Sequence, residues 1–420
     1  MPFQGFEGPA GTGKTHRLVE DIVAWVTANP LQPYQQILAL TFMHGSRRRL
    51  DQRLSLLPAL RGRFCCMTID SLAEQITGRW KSLCNHHGIQ TGTFEETVAC
   101  AAFLLEQPIV AHWVASSFPV VVIDEGQELT PARLRMVKAL AAHTKCFVAA
   151  DEFQCLDENL DLQPFRSWFA TGNITQLTQV RRTGQQGLLN AAIALRAGAA
   201  PVNGAGLKIK YEFKNQAPFS IGHELHRGLS NGGNVALIIA PSAKAWADQL
   251  IPRLLAGFSS SRQTIPPLRL GWETRPDEEV TQVMAAIPPG ESILSEAVLN
   301  SFAGLPHMPP WLSDVVGAIK HQRRACGQLA WTRFALQGLM ERKAAIHRAY
   351  GHSGTKGIPV MTIHGAKNRQ FKHVVVLWQP GVPGSDNHKR RLLYNAITRA
   401  EQSCAVFVRT EALLAEPPFA

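Results

Sequence analysis

The sequence predicts an α/β fold in which two parallel sheets are covered by helices and a small helical lobe is inserted. The first observation is a series of short apolar runs that alternate with helical patterns, at 37–41, 64–68, 120–123 and 146–149. The second observation is a similar series later in the chain, at 174–180, 234–240, 374–378 and 405–408, with a helical pattern at 187–196. Strand-then-helix alternation is typical of a parallel sheet that is buried on both faces.

The third observation is a different pattern between the parts of the second series. Residues 266–352 carry helical patterns at 311–323 and 329–349 with proline-rich joints, which indicates an inserted helical lobe. The predicted domains are 1–172, with a reduced insertion at about 72–117, then 173–265 together with 353–420, and the lobe 266–352.

Composition narrows the class of protein. The chain has 420 residues and a formal net charge of +11, which attracts polyanions and makes nucleic acid a candidate partner. The eight cysteines form no CxxC pair, which argues against a disulfide framework and a four-cysteine zinc site. We find no apolar run long enough for a membrane helix and no secretory signal at the N-terminus, so we expect a cytoplasmic protein without a membrane partner.

A phosphate-binding motif lies near the N-terminus. Residues 8–15 fit GxxxxGK[ST] between a strand-like run, 3–7, and a helical pattern. Glycines at this spacing let backbone N–H groups surround phosphate oxygens, and the positive end of the helix faces them. The predicted nucleotide-binding residues are Gly8, Pro9, Ala10, Gly11, Thr12, Gly13, Lys14 and Thr15. Lys14 would reach the β- and γ-phosphates and Thr15 would ligate Mg²⁺; the alternative is a glycine-rich turn before a helix.

Two acids follow a buried strand pattern. The apolar run 120–123 ends in Asp124 and Glu125, and ligands of open α/β sheets bind at the carboxyl ends of strands. We expect Asp124 to hold Mg²⁺ and Glu125 to orient and deprotonate a water. By itself the pattern is more typical of a solvated loop, but the upstream phosphate motif favours the metal site.

Further segments follow in a distinctive order. They read ILALTF (37–42) with Arg53, TIDS (68–71), DEGQ (124–127), DEFQ (151–154), LTQVRRT (177–183), MTIHGAK (361–367) and RLLYNAITRA (391–400). The ordered set resembles the motifs of superfamily 1 DNA helicases of the UvrD/Rep type, including RecB-like members, across most of the chain.

The resemblance implies two RecA-like domains with ATP and Mg²⁺ in the cleft between them, and an ATPase that translocates on or unwinds DNA in the 3′–5′ direction. The implied catalytic residues are Lys14, Asp124, Glu125, Gln154, Arg182 and Arg399, with Thr15 and Asp124 at the metal. The implied contacts to single-stranded DNA are Thr41, Phe42, Arg53, Thr68, Ser71, Thr362 and His364. Chemically, an arginine can stabilise charge on the transferring phosphoryl group, although Arg182 and Arg399 could also be surface charges.

The sequence departs from the family in its contacts to bases and ribose. The family reads adenine with a glutamine-centred segment ahead of the phosphate motif, for which Gln4 or Phe6 are the candidates here. The aromatic residue that stacks on DNA after the DEFQ-type motif is missing, and Phe165 or Trp168 could replace it. Gln370 stands where the family has an acid.

The accessory lobes are also reduced. Translocation is therefore better supported than processive unwinding, and the chain resembles compact helicases that act beside a nuclease, as in Gabija-type antiviral defence. A nuclease subunit in trans is a possible partner by resemblance alone. The alternative function is an ATP- and DNA-gated regulatory subunit that controls such a nuclease with little or no unwinding.

Two other clusters have alternative explanations. Cys84, His86 and His87 could ligate a metal, but zinc sites normally combine two separated pairs of ligands, so we expect an ordinary loop. Arg47, Arg48 and Arg49 could contact DNA phosphates or form a solvated face.

Overall fold

The computed structural model describes most of the chain. The described residues are 3–42, 50–51, 53–89, 93–212, 216–259, 264–273, 276–306, 308–350 and 357–420. The predicted arginine cluster 47–49 lies outside them. The chain divides into two compact units, Met1–Trp272 with Thr355–Ala420, and Glu273–Gly354.

The first unit contains two six-stranded parallel sheets. The first sheet has the strand order β3-β2-β4-β5-β1-β6. Its strands are β1 (Gln4–Glu7), β2 (Ile37–Thr41), β3 (Phe64–Thr68), β4 (Val120–Ile123), β5 (Lys145–Ala150) and β6 (Asn173–Gln176). All the pairs are parallel, so every strand directs its carboxyl end to the same edge of the sheet.

Helices cover both faces of this sheet. They are α1 (Lys14–Ala28), α2 (Ile69–Arg79), α3 (Lys81–His86), α4 (Phe94–Leu105), α5 (Pro108–Ser117), α6 (Pro131–His143) and α7 (Gln163–Phe169). Alternate residues of β2 enter opposite cores, with Leu38 and Leu40 in one and Ile37 and Ala39 in the other. This two-sided burial explains why the central strands are apolar at every position.

The edge strand β6 corrects one predicted boundary. We expected residue 173 to begin the second domain, but Asn173–Gln176 pairs with β1 and completes the first sheet. Ile174 of β6 packs so closely on β1 that a Cβ added to Gly5, in β1, would lie 2.4 Å from Cδ1 of Ile174. A short apolar run carries no signal for which sheet it joins, because that depends on long-range pairing.

The second sheet has the strand order β11-β14-β8-β15-β16-β7 and is also parallel. Its strands are β7 (Leu207–Tyr211), β8 (Val235–Ile239), β11 (Leu270–Trp272), β14 (Ile358–Thr362), β15 (Phe371–Trp378) and β16 (Ala400–Val408); β9 (Phe258–Ser259) and β10 (Thr264–Ile265) form a small hairpin. The helices are α8 (Gln186–Arg196), α9 (Ala217–Ser230), α10 (Lys244–Ala256), α15 (Ile363–Ala366) and α16 (Asp386–Ile397).

The second unit is a helical lobe with its own core. It contains α11 (Pro276–Ala285), β12 (Ser292–Leu294), α12 (Ser295–Ala303), α13 (Leu312–Cys326), β13 (Ala330–Thr332) and α14 (Arg333–Tyr350). The predicted helix 329–349 begins later, because residues 330–332 pair antiparallel with β12. The predicted fold class, two RecA-like parallel-sheet domains with a small inserted helical lobe, is confirmed.

Among the described residues, no single helix is both long and apolar enough to cross a bilayer. The helices Glu95–Leu105 and Pro108–Ser117 together have the length and apolar composition of a span, but a 90° bend separates them.

Candidate active site

The phosphate motif forms the turn between β1 and α1, at the carboxyl edge of the first sheet. Gly11 has φ +82°, and a Cβ there would lie 2.7 Å from Cβ of Arg182. A Cβ at Gly8 would lie 2.2 Å from the carbonyl oxygen of Leu177. The glycines therefore leave room for the segment that leads from the first sheet to the second, as well as for phosphate oxygens.

Lys14 begins α1 and lies under this turn. Its Nζ donates to the carbonyl oxygens of Gly8 (2.7 Å) and Pro9 (3.0 Å) and lies 3.8 Å from Oδ2 of Asp151. The side chain is 10% exposed, so its charge is held inside the loop that the motif predicts to bind phosphates.

The predicted metal ligands Thr15 and Asp124 lie next to each other. Thr15 Oγ1 donates to Asp124 Oδ2 at 3.3 Å. A hydroxyl and a carboxylate oxygen are hard ligands of the kind that Mg²⁺ prefers, so these residues fit the ion that the motif implies. Burial, followed by the charge of Glu125, raises the pKa of Asp124 to about 6 against the opposing effect of Lys14.

This shift predicts a stability effect. The folded protein binds a proton at Asp124 more tightly than the unfolded chain, so ionising Asp124 costs folding free energy as the pH rises from about 4 to 6. We expect Asp124→Asn to raise the melting temperature at pH 7.5 without Mg²⁺ or nucleotide, by an amount equivalent to about 1–2 kcal/mol. At pH 4 the two proteins should melt together. Thermal unfolding at both pH values checks this, and a less stable variant at pH 7.5 would contradict it.

Glu125 follows Asp124 in a left-handed backbone conformation, with φ +65°. Its carboxylate accepts a hydrogen bond from Nε2 of Gln127, which is fully buried. Oε1 of the same glutamine accepts from the backbone N–H of Asp151 at 2.9 Å. Gln127 therefore connects the turn after β4 to the turn after β5 and fixes the direction of the Glu125 carboxylate.

Asp151 is the buried hub of the DEFQ segment. Its carboxylate accepts from Arg196 Nη1 at 2.6 Å and from Gln154 Nε2 at 2.8 Å. Burial raises the pKa of Asp151, but the charges of Lys14 and Arg196 and these hydrogen bonds outweigh it, so the pKa lies below its usual value. The carboxylate is therefore ionised and holds Lys14, Gln154 and Arg196 around it.

The two predicted arginines approach the site from different elements. Arg399 lies between α16 and β16, is 1% exposed, and donates through Nη2 to Oε1 of Gln154 at 3.3 Å. Arg182 belongs to the segment after β6 and donates through Nη1 to the carbonyl oxygen of Thr398 at 2.6 Å. Burial, and then the charge of Arg399, lowers the pKa of Arg182 to about 9. The surroundings of Arg182 therefore favour an added anion.

A cavity of about 400 Å³ brings these groups together. Its lining contains Gly11, Gly13, Lys14, Thr15, His16, Leu50, Arg53, Asp124, Glu125, Gln154, Arg181, Arg182, Asn368, Gln370, Arg399 and Glu401. All six residues predicted as catalytic are in this set. The motifs of the first sheet and the arginines thus open onto one space.

Other residues of the site were not predicted in these roles. The N–H of Ala10, inside the phosphate motif, donates to the buried hydroxyl of Tyr394 at 2.8 Å. Lys367 forms an ion pair with Glu128, which joins the MTIHGAK segment to the loop after β4. Tyr394 and Lys367 lie inside motifs that the sequence analysis identified. Their membership of a motif could have marked them as functional residues, but it does not predict which residues they contact.

Gln370 also has an unpredicted contact. When its amide oxygen faces Arg182, Oε1 accepts from Nε at 2.8 Å and from Nη2 at 3.0 Å. The residue at the family's acidic position thus contacts an arginine through an uncharged oxygen.

The predicted DNA contacts lie at strand ends. Thr68 ends β3 and its Oγ1 accepts from the N–H of Ser71 (3.1 Å), which caps α2. Thr362 ends β14 and caps α15 in the same way through the N–H of Gly365 (3.1 Å). His364, in the first turn of α15, is exposed.

The remaining three predicted DNA contacts have different surroundings. Thr41 is fully buried and Phe42 packs partly on the core beside β2. Arg53 lines the cavity, and its charge acts on Asp124.

The candidate replacements for the family's adenine-reading and DNA-stacking residues do not line the cavity. Gln4 donates to Asp21 Oδ2 at 2.5 Å and Phe6 is fully buried. Phe165 is 1% exposed, and Trp168 stacks on Phe3 with 4.3 Å between ring centroids. Phe6, Phe165 and Trp168 thus belong to the packing of the first domain, and Gln4 is hydrogen-bonded to α1. Among the described residues, no group of three or more His, Cys, Asp or Glu side chains could hold a metal, and Cys84 is buried in the core.

Comparison with known proteins supports part of this interpretation. Residues 357–407 match the family model of the UvrD-like helicase C-terminal domain. The resemblance to UvrD-type helicases is confirmed for this segment. This UvrD-like segment contains Asn368, Gln370, Arg399 and Glu401, which line the cavity.

Structural comparison finds similarity to the arterivirus nonstructural protein 10 helicase. The structure with DNA has a TM-score of 0.39 and 11% identity over 98% of this chain and 62% of that chain. The structure without DNA has a TM-score of 0.38 and 11% identity over 99% of this chain and 62% of that chain. This chain thus spans 62% of the length of those structures. No curated protein matches the sequence.

Proposed function

We propose that the protein is a Mg²⁺-dependent ATPase that moves along single-stranded DNA and hydrolyses ATP in the cavity between its two parallel sheets. The observation that carries the proposal is the convergence of Lys14, Asp124, Glu125, Arg182 and Arg399 on one cavity. A triphosphate would supply the negative charge that Arg182 and Arg399 favour, and Mg²⁺ would supply charge neutralisation at the β- and γ-phosphates.

The residues divide the chemistry among them. Lys14 would leave the carbonyl oxygens of Gly8 and Pro9 for the phosphates, while Thr15 and Asp124 hold Mg²⁺. Glu125 would accept the proton of the attacking water as the bond from the γ-phosphorus to the bridging oxygen breaks. Gln154 would contact the γ-phosphate and, through its hydrogen bond to Arg399, couple the presence of that phosphate to the position of Arg399.

The same contacts explain how hydrolysis would move the two sheets. Arg399 and Tyr394 belong to the second sheet and its helices, and they contact Gln154 and Ala10 of the first. Loss of the γ-phosphate would remove a charge that both sides hold, so the cleft would open and close once per ATP. Thr68, Ser71, Thr362 and His364 would hold the DNA strand alternately, with 3′–5′ movement by resemblance.

The decisive experiment is ATP turnover with and without DNA. We expect Mg²⁺-dependent hydrolysis that rises at least tenfold with single-stranded oligonucleotide, because strand binding would complete the contact between the sheets. The affinity for DNA should fall steeply with salt. Each phosphate contact should add nearly one unit to the slope of the logarithm of the binding constant against the logarithm of the salt concentration. A duplex of the same sequence, RNA and an ADP-only sample serve as controls.

The outcomes separate the two candidate functions. Turnover that DNA does not change would exclude the motor. DNA binding that depends on ATP, with turnover too slow to support stepping and co-purification with a nuclease, would favour the regulatory subunit predicted as the alternative.

A further inference from the structure

The buried carboxylate of Asp151 forms ion pairs with cations from both domains. Lys14, at the start of α1, places its Nζ 3.8 Å from Oδ2 of Asp151. Arg196, at the end of α8, places its Nη1 2.6 Å from Oδ1 of the same carboxylate. The Asp151 side chain is fully buried, and a buried carboxylate needs a nearby counter-charge to stay ionised. Lys14 and Arg196 therefore share the neutralisation of Asp151.

Aromatic rings hold the guanidinium group of Arg196 in place. Its Cζ lies 5.3 Å from the ring centre of Phe153 and 5.6 Å from the ring centre of Tyr394. Both distances are those of a cation–π contact. The helix that carries Arg196 packs on the core of the second sheet through Leu195, whereas Asp151 follows β5 of the first sheet. The second domain thus supplies one of the two counter-charges of Asp151.

The two ion pairs would change when a nucleotide binds. Under the proposed function, Lys14 turns to the β- and γ-phosphates and moves away from Asp151. This movement would leave Arg196 as the ion-pair partner of the buried carboxylate, and a buried charge that loses its partner is strongly destabilising. Arg196 lies outside the cavity lining, so any effect on the nucleotide passes through Asp151 and Lys14.

We propose that Arg196 is a positioning residue for nucleotide binding, which neutralises Asp151 and thereby frees Lys14 for the β- and γ-phosphates. The inference rests on the proposed function, because it concerns the same cavity. Since Arg196 belongs to the second domain, opening of the cleft would withdraw its charge from Asp151, and Lys14 would return to the carboxylate. The affinity for nucleotide would therefore be highest when the cleft is closed.

Two substitutions separate the charge of Arg196 from its hydrogen bond. Arg196→Gln keeps a donor for Asp151 but removes the charge, so Asp151 should retain Lys14. We expect the dissociation constant of a fluorescent ATP analogue to rise about 10- to 100-fold, within the range of coupling between residues of one ion-pair network. Arg196→Lys keeps the charge but loses the guanidinium plane, and should bind the analogue within about fivefold of the parent.

Removal of the Asp151 charge gives the decisive comparison. If Arg196 acts by neutralising Asp151, Arg196→Gln should change nucleotide affinity less than about threefold in the Asp151→Asn background, because no charge at residue 151 then holds Lys14. An Arg196 that only supported the fold would cause the same loss in both backgrounds. An equal loss in both backgrounds, or unchanged affinity in Arg196→Gln alone, would overturn the proposal.

Arg227→Gln is the matched control. Arg227 pairs with the buried Glu224 on α9, a helix that also packs on the second sheet, and it lies outside the cavity lining. This variant should leave nucleotide affinity unchanged, and thermal unfolding verifies that each variant is folded. A parent protein that neither binds nor hydrolyses ATP would refute the proposed function. An active parent whose affinity Arg196→Gln does not change would refute this inference alone.

Discussion

Arg182→Ala should lower the DNA-stimulated kcat by about 10³-fold or more while leaving the protein folded. An arginine that neutralises charge on the transferring phosphoryl group is worth roughly 10³ to 10⁵ in rate. Burial and the charge of Arg399 lower the pKa of Arg182 to about 9, so removing this charge should leave the melting temperature unchanged or slightly higher. If Arg182 served mainly to stabilise the fold, Arg182→Ala would instead lower the melting temperature and change kcat little.

The measurement combines steady-state turnover, thermal unfolding and nucleotide affinity. Arg135→Ala is the matched control, because Arg135 forms a surface ion pair with Glu106 and does not line the cavity. If Arg182→Ala retained kcat within tenfold of the parent, Arg182 would not be a phosphate-contacting arginine. Arg399→Ala should lose turnover too, but with a lower melting temperature, since Arg399 is 1% exposed and hydrogen-bonded to Asn395 and Gln154.

Glu125→Gln should lower kcat by about 10²- to 10⁴-fold without weakening ATP binding. The substitution removes the proton acceptor but preserves size, and an amide oxygen can still accept from Nε2 of Gln127. The left-handed backbone at residue 125 disfavours glutamine no more than glutamate. The variant should therefore hold ATP and DNA together in the state before hydrolysis.

Single-turnover hydrolysis and fluorescent-nucleotide binding check this expectation. Glu152→Gln is the control on the same edge of the first sheet, because Glu152 pairs with Arg166 and lies outside the cavity lining. Full activity in Glu125→Gln would mean that a group other than Glu125 accepts the proton of the attacking water. A loss of ATP affinity equal to the loss of rate would mean that Glu125 acts in binding.

The tertiary structure changes how Arg182 is understood. The predicted domain bounds, 173–265 together with 353–420, place both Arg182 and Arg399 in the second domain. In the structure, Arg182 follows the last strand of the first sheet and packs on Gly11 of the phosphate motif. Only Arg399 comes from the second sheet, so the two arginines would respond differently when the cleft opens: Arg182 would stay with the phosphates and Arg399 would leave.

The loops at the carboxyl edge of the first sheet are tied to the second sheet and its helices. Ala10 contacts Tyr394, Gln154 contacts Arg399, and Glu128 contacts Lys367. In addition, Oε1 of Glu158 accepts from the N–H and hydroxyl of Ser385 at 2.9 and 2.8 Å, at the start of α16. Movement of the second sheet would therefore displace these loops of the first sheet through their hydrogen bonds and ion pair.

The sequence by itself determined the two parallel sheets, the phosphate motif and the order of the later motifs. Apolar runs that alternate with helical patterns require a buried parallel sheet, and glycine spacing around Lys14 is a local property of the backbone. Those features depend on residues that are close together in the chain, which is why they can be predicted.

Only the tertiary structure decided which side chains meet. It assigned 173–176 to the first sheet, placed Arg53 in the lining of the cavity, paired Gln4 with Asp21 and buried Phe6. It also paired Tyr394 with Ala10 and, with the amide oxygen of Gln370 turned toward the guanidinium, Gln370 with Arg182. Such contacts join residues far apart in sequence, and their geometry follows from strand order and register, which no local pattern encodes.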